Sequence, residues 1–188
     1  HYVLILVFTI VFLSMSTGVS AQHPEWVVYN TGNSELPGNT VYDLAIDPQG
    51  ALWVGTYGGL AQFDGATWTV YRTLNFGFPG NIPALALDAQ EKPWIGIENI
   101  GLVHFDGVTW TVYNTENSGL PSTYVRALTF DTQGILWIGN DKGLAHFYGA
   151  TWIVYNTENS MPPDNLVQAL LPDAQGNLWI GTMLGGLA

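Results

Sequence analysis

All eight tryptophans of this 188-residue chain fall at two positions of one repeating unit. Trp26, Trp68, Trp110 and Trp152 are spaced by 42 residues, and Trp53, Trp94, Trp137 and Trp179 by 41, 43 and 42. A fixed period of this size marks stacked supersecondary units, and about 40–45 residues suits a four-stranded blade of a β-propeller. A β-helix would need shorter coils, and a β-sandwich would not repeat its own sequence.

Within each copy four short apolar runs alternate with turn chemistry, the signature of an all-β chain. The runs are Val41 to Asp47 (strand A), Leu52-Trp53-Val54-Gly55 (strand B), Leu60 to Asp64 (strand C) and Trp68 to Tyr71 (strand D). Asp47-Pro48-Gln49-Gly50 and Asp131-Thr132-Gln133-Gly134 place Asp first and Gly last, as a type I turn prefers. Small residues such as Ala45, Ala84, Ala86, Ala127 and Ala169 suit a crowded centre, so strand A is expected innermost. Copy two departs most: Glu91-Lys92-Pro93 precedes Trp94, so a looser A–B hairpin is expected there, and Pro83 needs a site without a ladder donor. Trp26 to Asn30 reads as a further D-type strand that could complete the fourth copy's A-B-C set. The expected fold is therefore an all-β propeller of four-stranded antiparallel blades, incomplete, with repeats at 26–67, 68–109, 110–151 and 152–188.

Composition narrows the function classes. Aromatic residues make up 13% and charged residues 10%, which suits a β-rich core and not disorder. The net charge is -11, and only Arg72, Lys92, Arg126 and Lys142 are basic. Nucleic acid, which demands clustered Lys and Arg, is not an expected partner. There is no cysteine, so disulfides and thiol catalysis are excluded. Val3 to Leu13 has the length of a secretory apolar core, and Val19-Ser20-Ala21 puts small residues where a signal peptidase reads. Residues 1–21 are expected to be a signal peptide truncated at its front, and 22–188 an exported domain, periplasmic or extracellular.

The string Asp173-Ala174-Gln175-Gly176-Asn177-Leu178-Trp179-Ile180-Gly181-Thr182, continuing to Leu187, resembles the two-component regulator propeller repeat, as do Leu120-Pro121 and Val125 to Asp131. The resemblance runs from residue 26 to 188. It implies a fragment of the periplasmic sensor region of a hybrid two-component histidine kinase, acting in signal transduction. Such regions have seven-bladed propellers, often two in tandem, followed by an immunoglobulin-like segment, a membrane span and the kinase. Implied partners are an oligosaccharide or other small-molecule ligand, a membrane met only through a downstream segment, and a second copy in a homodimer of the intact protein.

Strand alternation puts the B–C and D–A loops on one face of the disc and the A–B and C–D turns on the other. The A–B turns hardly change between copies, whereas the B–C loops differ sharply: Thr56-Tyr57-Gly58-Gly59, Ile97-Glu98-Asn99-Ile100, Asn140-Asp141-Lys142 and Thr182-Met183-Leu184-Gly185. Loops carry binding more often than the scaffold that holds them, although unconstrained drift gives the same pattern. The candidate ligand-binding residues are Tyr57, Phe76 and Tyr124 as flat platforms, Glu98, Asn99, Asp141 and Lys142 as hydrogen-bonding groups, and Met183. No catalytic constellation, metal-ligand set or cofactor motif is present; His104 and His146 follow the repeat at the position of Gln62, as packing residues do. Two other readings stay open: an enzyme resembling the streptogramin lyases, which are propellers with similar Leu-Trp repeats, and a secreted scaffold for protein contacts.

Overall fold

The computed structural model describes residues 26–72, 80–160 and 162–188. The expected signal peptide and Phe76 lie outside them. Fourteen strands are assigned among the described residues, and no helix. They form three four-stranded sheets and one pair. β1 (Val41–Ile46), β2 (Leu52–Thr56), β3 (Gly59–Phe63) and β4 (Trp68–Arg72) make the first. β5 (Ala84–Leu87), β6 (Pro93–Ile97), β7 (Gly101–Phe105) and β8 (Trp110–Tyr113) make the second. β9 (Val125–Phe130), β10 (Leu136–Asn140), β11 (Gly143–Tyr148) and β12 (Thr151–Tyr155) make the third. β13 (Val167–Pro172) pairs with β14 (Leu178–Thr182), and Leu187 adds a single bridge to Gly181. Every pairing is between neighbours in sequence and antiparallel, which is the propeller blade.

One aspartate organises each A–B turn and explains why it stands six residues before a tryptophan. Asp47 Oδ1 accepts the backbone N–H groups of Gln49 (3.1 Å) and Ala51 (2.8 Å). Its second oxygen receives the Trp53 indole N–H at 3.4 Å. The same indole bond recurs for Asp88 and Trp94 (3.3 Å), Asp131 and Trp137 (2.8 Å), and Asp173 and Trp179 (3.1 Å). The carboxylate thus satisfies turn donors and the one polar atom of a large core side chain.

The hairpin of copy two is not looser. Asp88 still receives the N–H groups of Gln90 and Lys92, both at 2.9 Å. Glu91 takes the left-handed conformation, φ 64°, that Gly50 and Gly134 take in their copies. The turn's hydrogen bonds outweigh the cost of a side chain at positive φ. Pro83 precedes β5 and donates to no ladder.

Blades pack through a repeated fit. The buried residue at the entry to each later innermost strand, Ile82, Val125 or Val167, enters the hollow left by the strand-B glycine of the blade before. A Cβ on Gly55 would lie 2.9 Å from the Ile82 carbonyl oxygen. One on Gly96 would lie 2.8 Å from Val125 Cγ1, and one on Gly139 2.6 Å from Val167 Cγ1. Next to this fit, Leu85 shares a core with Trp53 of the preceding blade, and Leu128 with Trp94. At the rim, Trp110 reaches Tyr71 of the preceding blade (centroids 5.9 Å) and Trp152 reaches Tyr113 (5.9 Å). Each fully buried Leu or Ile contributes about 1.5–3 kcal/mol, so the interfaces between blades hold most of the stability.

Trp26 to Asn30, expected as a strand, carries no strand pairing. Its sequence is that of a D strand, but the three sheets that have a D strand already use their own. Tyr29 instead lies against Phe63 and Trp68, at 5.2 and 5.6 Å.

Candidate functional site

The B–C turns and the segments leading into the innermost strands share one face. Tyr57 N–H donates to the Thr40 carbonyl (3.1 Å), Glu98 N–H to Asn81 (3.0 Å) and Met183 N–H to Leu166 (2.9 Å). The face predicted to vary is therefore a continuous surface built from both loop sets.

On this face a concavity of about 260 Å³ is lined by Tyr42, Asn81, Pro83, Glu98, Tyr124, Val125 and Arg126. A neighbouring hollow shares Tyr42, Pro83 and Arg126 and continues along Asp43, Ala127 and Gln168. β1, β9 and β13 supply most of these residues, and Pro83 lies just before β5, so the groove crosses the innermost strands at their entry. Tyr42, Pro83, Arg126 and Gln168 stand at one register position, second in the Val-x-x-Leu pattern of strand A.

The polar groups are held in place. Asn81 Nδ2 donates to Glu98 Oε2 at 2.6 Å, which fixes the carboxylate over the rim. Tyr124 N–H donates to Ser122 Oγ (3.1 Å), orienting the ring before β9. Asp43 Oδ2 accepts the Leu85 N–H at 2.7 Å and ties the first blade to the second. Burial raises the Asp43 pKa, partly offset by the Leu85 and Leu44 N–H groups. Arg126 is exposed, and among the described residues no Lys or Arg lies within ion-pair distance of a carboxylate. A guanidinium, a fixed carboxylate and two phenol rings can together hold a ring-shaped polar ligand.

Of the eight residues expected to bind, the groove brings together Glu98 and Tyr124. Asn99 faces a separate hollow with Thr115, Glu116 and Thr123, and its φ of 64° closes the turn. Tyr57 and Met183 are exposed at the turns of the first and fourth blades. Asp141 and Lys142 sit in the third turn, where Lys142 N–H donates to Asn140 Oδ1 (2.7 Å). Tyr42 and Arg126, on strand A, and Asn81, in the loop before β5, were not among the expected residues. A signal for Tyr42 and Arg126 was available: their position is Tyr, Pro, Arg and Gln across the copies, whereas Leu44, Leu85, Leu128 and Leu170 two residues on are constant.

The histidines belong to the packing. His104 stacks on Trp94 (4.2 Å, 17°) with Nε2 3.2 Å from Asp88 Oδ2, and His146 meets Trp137 edge-on at 4.9 Å.

The two component regulator propeller family matches residues 35–58, 119–142 and 161–183, each covering the loop into strand A, strand A and strand B. The divergent second copy lies outside the matched segments. No curated protein matches the chain. Among solved structures, the extracellular domain of a hybrid two component system from B. thetaiotaomicron is 26% identical over 85% of this chain, with a TM-score of 0.71. A second such domain from the same organism is 22% identical over 85%, with a TM-score of 0.66. The chain spans 22% of the length of each. Virginiamycin B lyase from Staphylococcus aureus is 11% identical over 79% of this chain and 54% of its own, TM-score 0.60, and shares the fold. Residues 35–58, 119–142 and 161–183 thus carry the two component regulator propeller repeat, and the blades they belong to have the β-propeller fold.

Proposed function

We propose that this chain is an extracytoplasmic ligand-binding segment of a sensor propeller, and that its ligand lies in the groove between Glu98, Tyr124 and Arg126. The observation that carries the reading is the coincidence of variation with concavity. A register position of strand A that changes charge and shape between copies, Tyr42, Pro83, Arg126 and Gln168, opens into a hollow rimmed by a variable B–C turn. Export and a signalling role rest on the family and on the extracellular domains that the chain is similar to. The ligand class that fits is an oligosaccharide: Tyr42 and Tyr124 offer flat apolar faces, Arg126 and Glu98 offer directed polar contacts, and sugars present both kinds of surface.

An enzymatic role is less well supported. His104 and His146 repeat at one position and are engaged by the turn aspartate and the core tryptophan, not by the groove. Titration calorimetry with a panel of neutral and uronic-acid oligosaccharides tests the proposal. Arg126→Ala should weaken binding of whichever probe binds by about tenfold or more, consistent with a charge-assisted contact. A probe that binds the Arg126→Ala and Tyr124→Ala variants as tightly as the parent chain would remove the groove from consideration.

A further inference from the structure

The loop from β8 into β9 departs from its counterparts at one bridging residue, and the departure coincides with a second hollow beside the groove. In the loops that lead into β1 and β13 an asparagine reaches back across the loop. Asn39 Oδ1 accepts the Thr31 N–H and Asn165 Oδ1 the Thr157 N–H, both at 2.8 Å. Asn165 Nδ2 also donates to Thr157 Oγ1 at 2.9 Å. Thr123 stands at this position before β9. Its hydroxyl is one bond shorter than the amide oxygen it replaces, and among the described residues it makes no bond to Thr115. The start of the loop is the same in all three. The N–H groups of Asn30, Asn114 and Asn156 donate to the asparagine three residues on, at 2.8, 2.8 and 2.9 Å. The hydroxyls of Ser34, Ser118 and Ser160 donate to the carbonyls of those same first asparagines.

Beside Thr123 lies a hollow of about 440 Å³, within the range of about 300–1,000 Å³ of small-molecule sites. Thr115, Glu116 and Thr123 of the loop wall it on one side, and Asn99 and Ile100 of the second B–C turn with Val112 of β8 on the other. Asn99 follows Glu98 and Thr123 precedes Tyr124, so the hollow adjoins the groove across one residue step on each wall. Both walls belong to four-stranded blades.

We infer that this hollow is a second subsite of the groove, and that the ligand is a chain with an acidic sugar at Arg126 and a neutral sugar beside Thr123. The inference rests on the ligand-binding reading of Glu98, Tyr124 and Arg126. Arg126 is exposed and, among the described residues, has no carboxylate within ion-pair distance, so its charge is available to a uronic acid. The outer hollow has the opposite character. No basic residue lines it, and Glu116 repels an anion. The Asn99 amide and the Thr115 and Thr123 hydroxyls both donate and accept, as sugar hydroxyls do. Ile100 and Val112 offer the apolar surface on which the C–H face of a sugar ring rests.

Titration calorimetry with aldouronic acids, one glucuronic acid linked to one, two or three xylose units, tests the inference. Affinity should rise about fivefold to tenfold from the shortest member to the longest. Thr123→Asn restores the bridging residue of the other loops and fills the hollow. Asn99→Gly removes the amide from the other wall, and glycine takes the φ of 64° there without strain. In each variant, with circular dichroism unchanged, the longest member should bind no more tightly than the shortest binds the parent. A gain with length that survives both substitutions overturns the second subsite. So does binding that falls in Arg126→Ala yet shows no gain with length in the parent, an outcome that leaves the groove standing. Binding indifferent to Arg126→Ala removes the groove and the second subsite together. A series of which no member binds also overturns the inference, while neutral probes that bind and depend on Tyr124 would keep the groove.

Discussion

The contact between the second and third blades and the outer face of the fourth present the same residues to different surroundings. Trp94 and Trp179 are repeats of one position and hold the same bond to a turn aspartate. Trp94 is buried among Leu128, Leu136 and Phe147, whereas Trp179 stands half exposed. Gly139 has Val167 pressed against it, and Gly181 has open space beside it. The difference shows that a repeat residue acquires its energetic weight from the next blade, not from its own. Local hydrogen bonding is equal at both sites, so it does not set stability here.

Substitutions at matched positions break the comparison most sharply. Trp94→Ala should cost about 3–5 kcal/mol in denaturant unfolding, and Trp179→Ala about 1–2 kcal/mol at a protein concentration where the chain is monomeric. Equal losses would mean that the blades do not stack as described. Gly139→Val should cost about 2–3 kcal/mol or more through overpacking, while Gly181→Val should stay within about 1 kcal/mol of the parent.

Acid should strike the C–D turns. The Thr67 hydroxyl and backbone, with the Ala66 N–H, hold Asp64 down to about 2, and Thr109 with Val108 does the same for Asp106. Because the folded pKa lies below the ordinary 3.8, this stabilisation is complete above about pH 4 and is lost as pH falls towards 2. Asp43 titrates the other way: its raised pKa means that protonation favours the folded state. Thermal melts across pH 2–5 should therefore show a loss of stability that Asp106→Asn reduces and Asp43→Asn does not. The smallest effect is expected at Glu91. Glu91→Gly should raise stability by about 0.5–1 kcal/mol, since glycine takes a φ of 64° without strain, less a little for the exposed Gln49–Glu91 hydrogen bond. An unchanged or lowered melting temperature would show that this turn is not strained.

The blades were legible in the sequence because packing between them imposes one residue on every copy. Trp53, Gly55 and Asp47 recur since each next blade and each turn makes the same demand. Strand limits and the shared loop face followed from alternation alone. The unpaired state of Trp26 to Asn30 was not legible, since its residues are those of a D strand and only the absence of a neighbouring edge keeps it from being one. Half of the groove was also hidden. Glu98 and Tyr124 lie in loops, where variation signals contact, but Arg126 lies within a strand whose neighbours Val125 and Ala127 are buried. Side chains alternate along a strand, so a conserved scaffold and a variable lining can occupy adjacent residues. Phe76 falls outside the described residues and is not placed by the structure.

The most direct test of the account is hydrogen exchange with and without a saturating oligosaccharide identified by the calorimetry. Binding in the groove predicts slowed exchange at residues 81–82, 97–99 and 124–127, with no change at the A–B turns 48–50 and 132–134. Protection confined to the A–B turns would place the ligand on the opposite face and contradict the account.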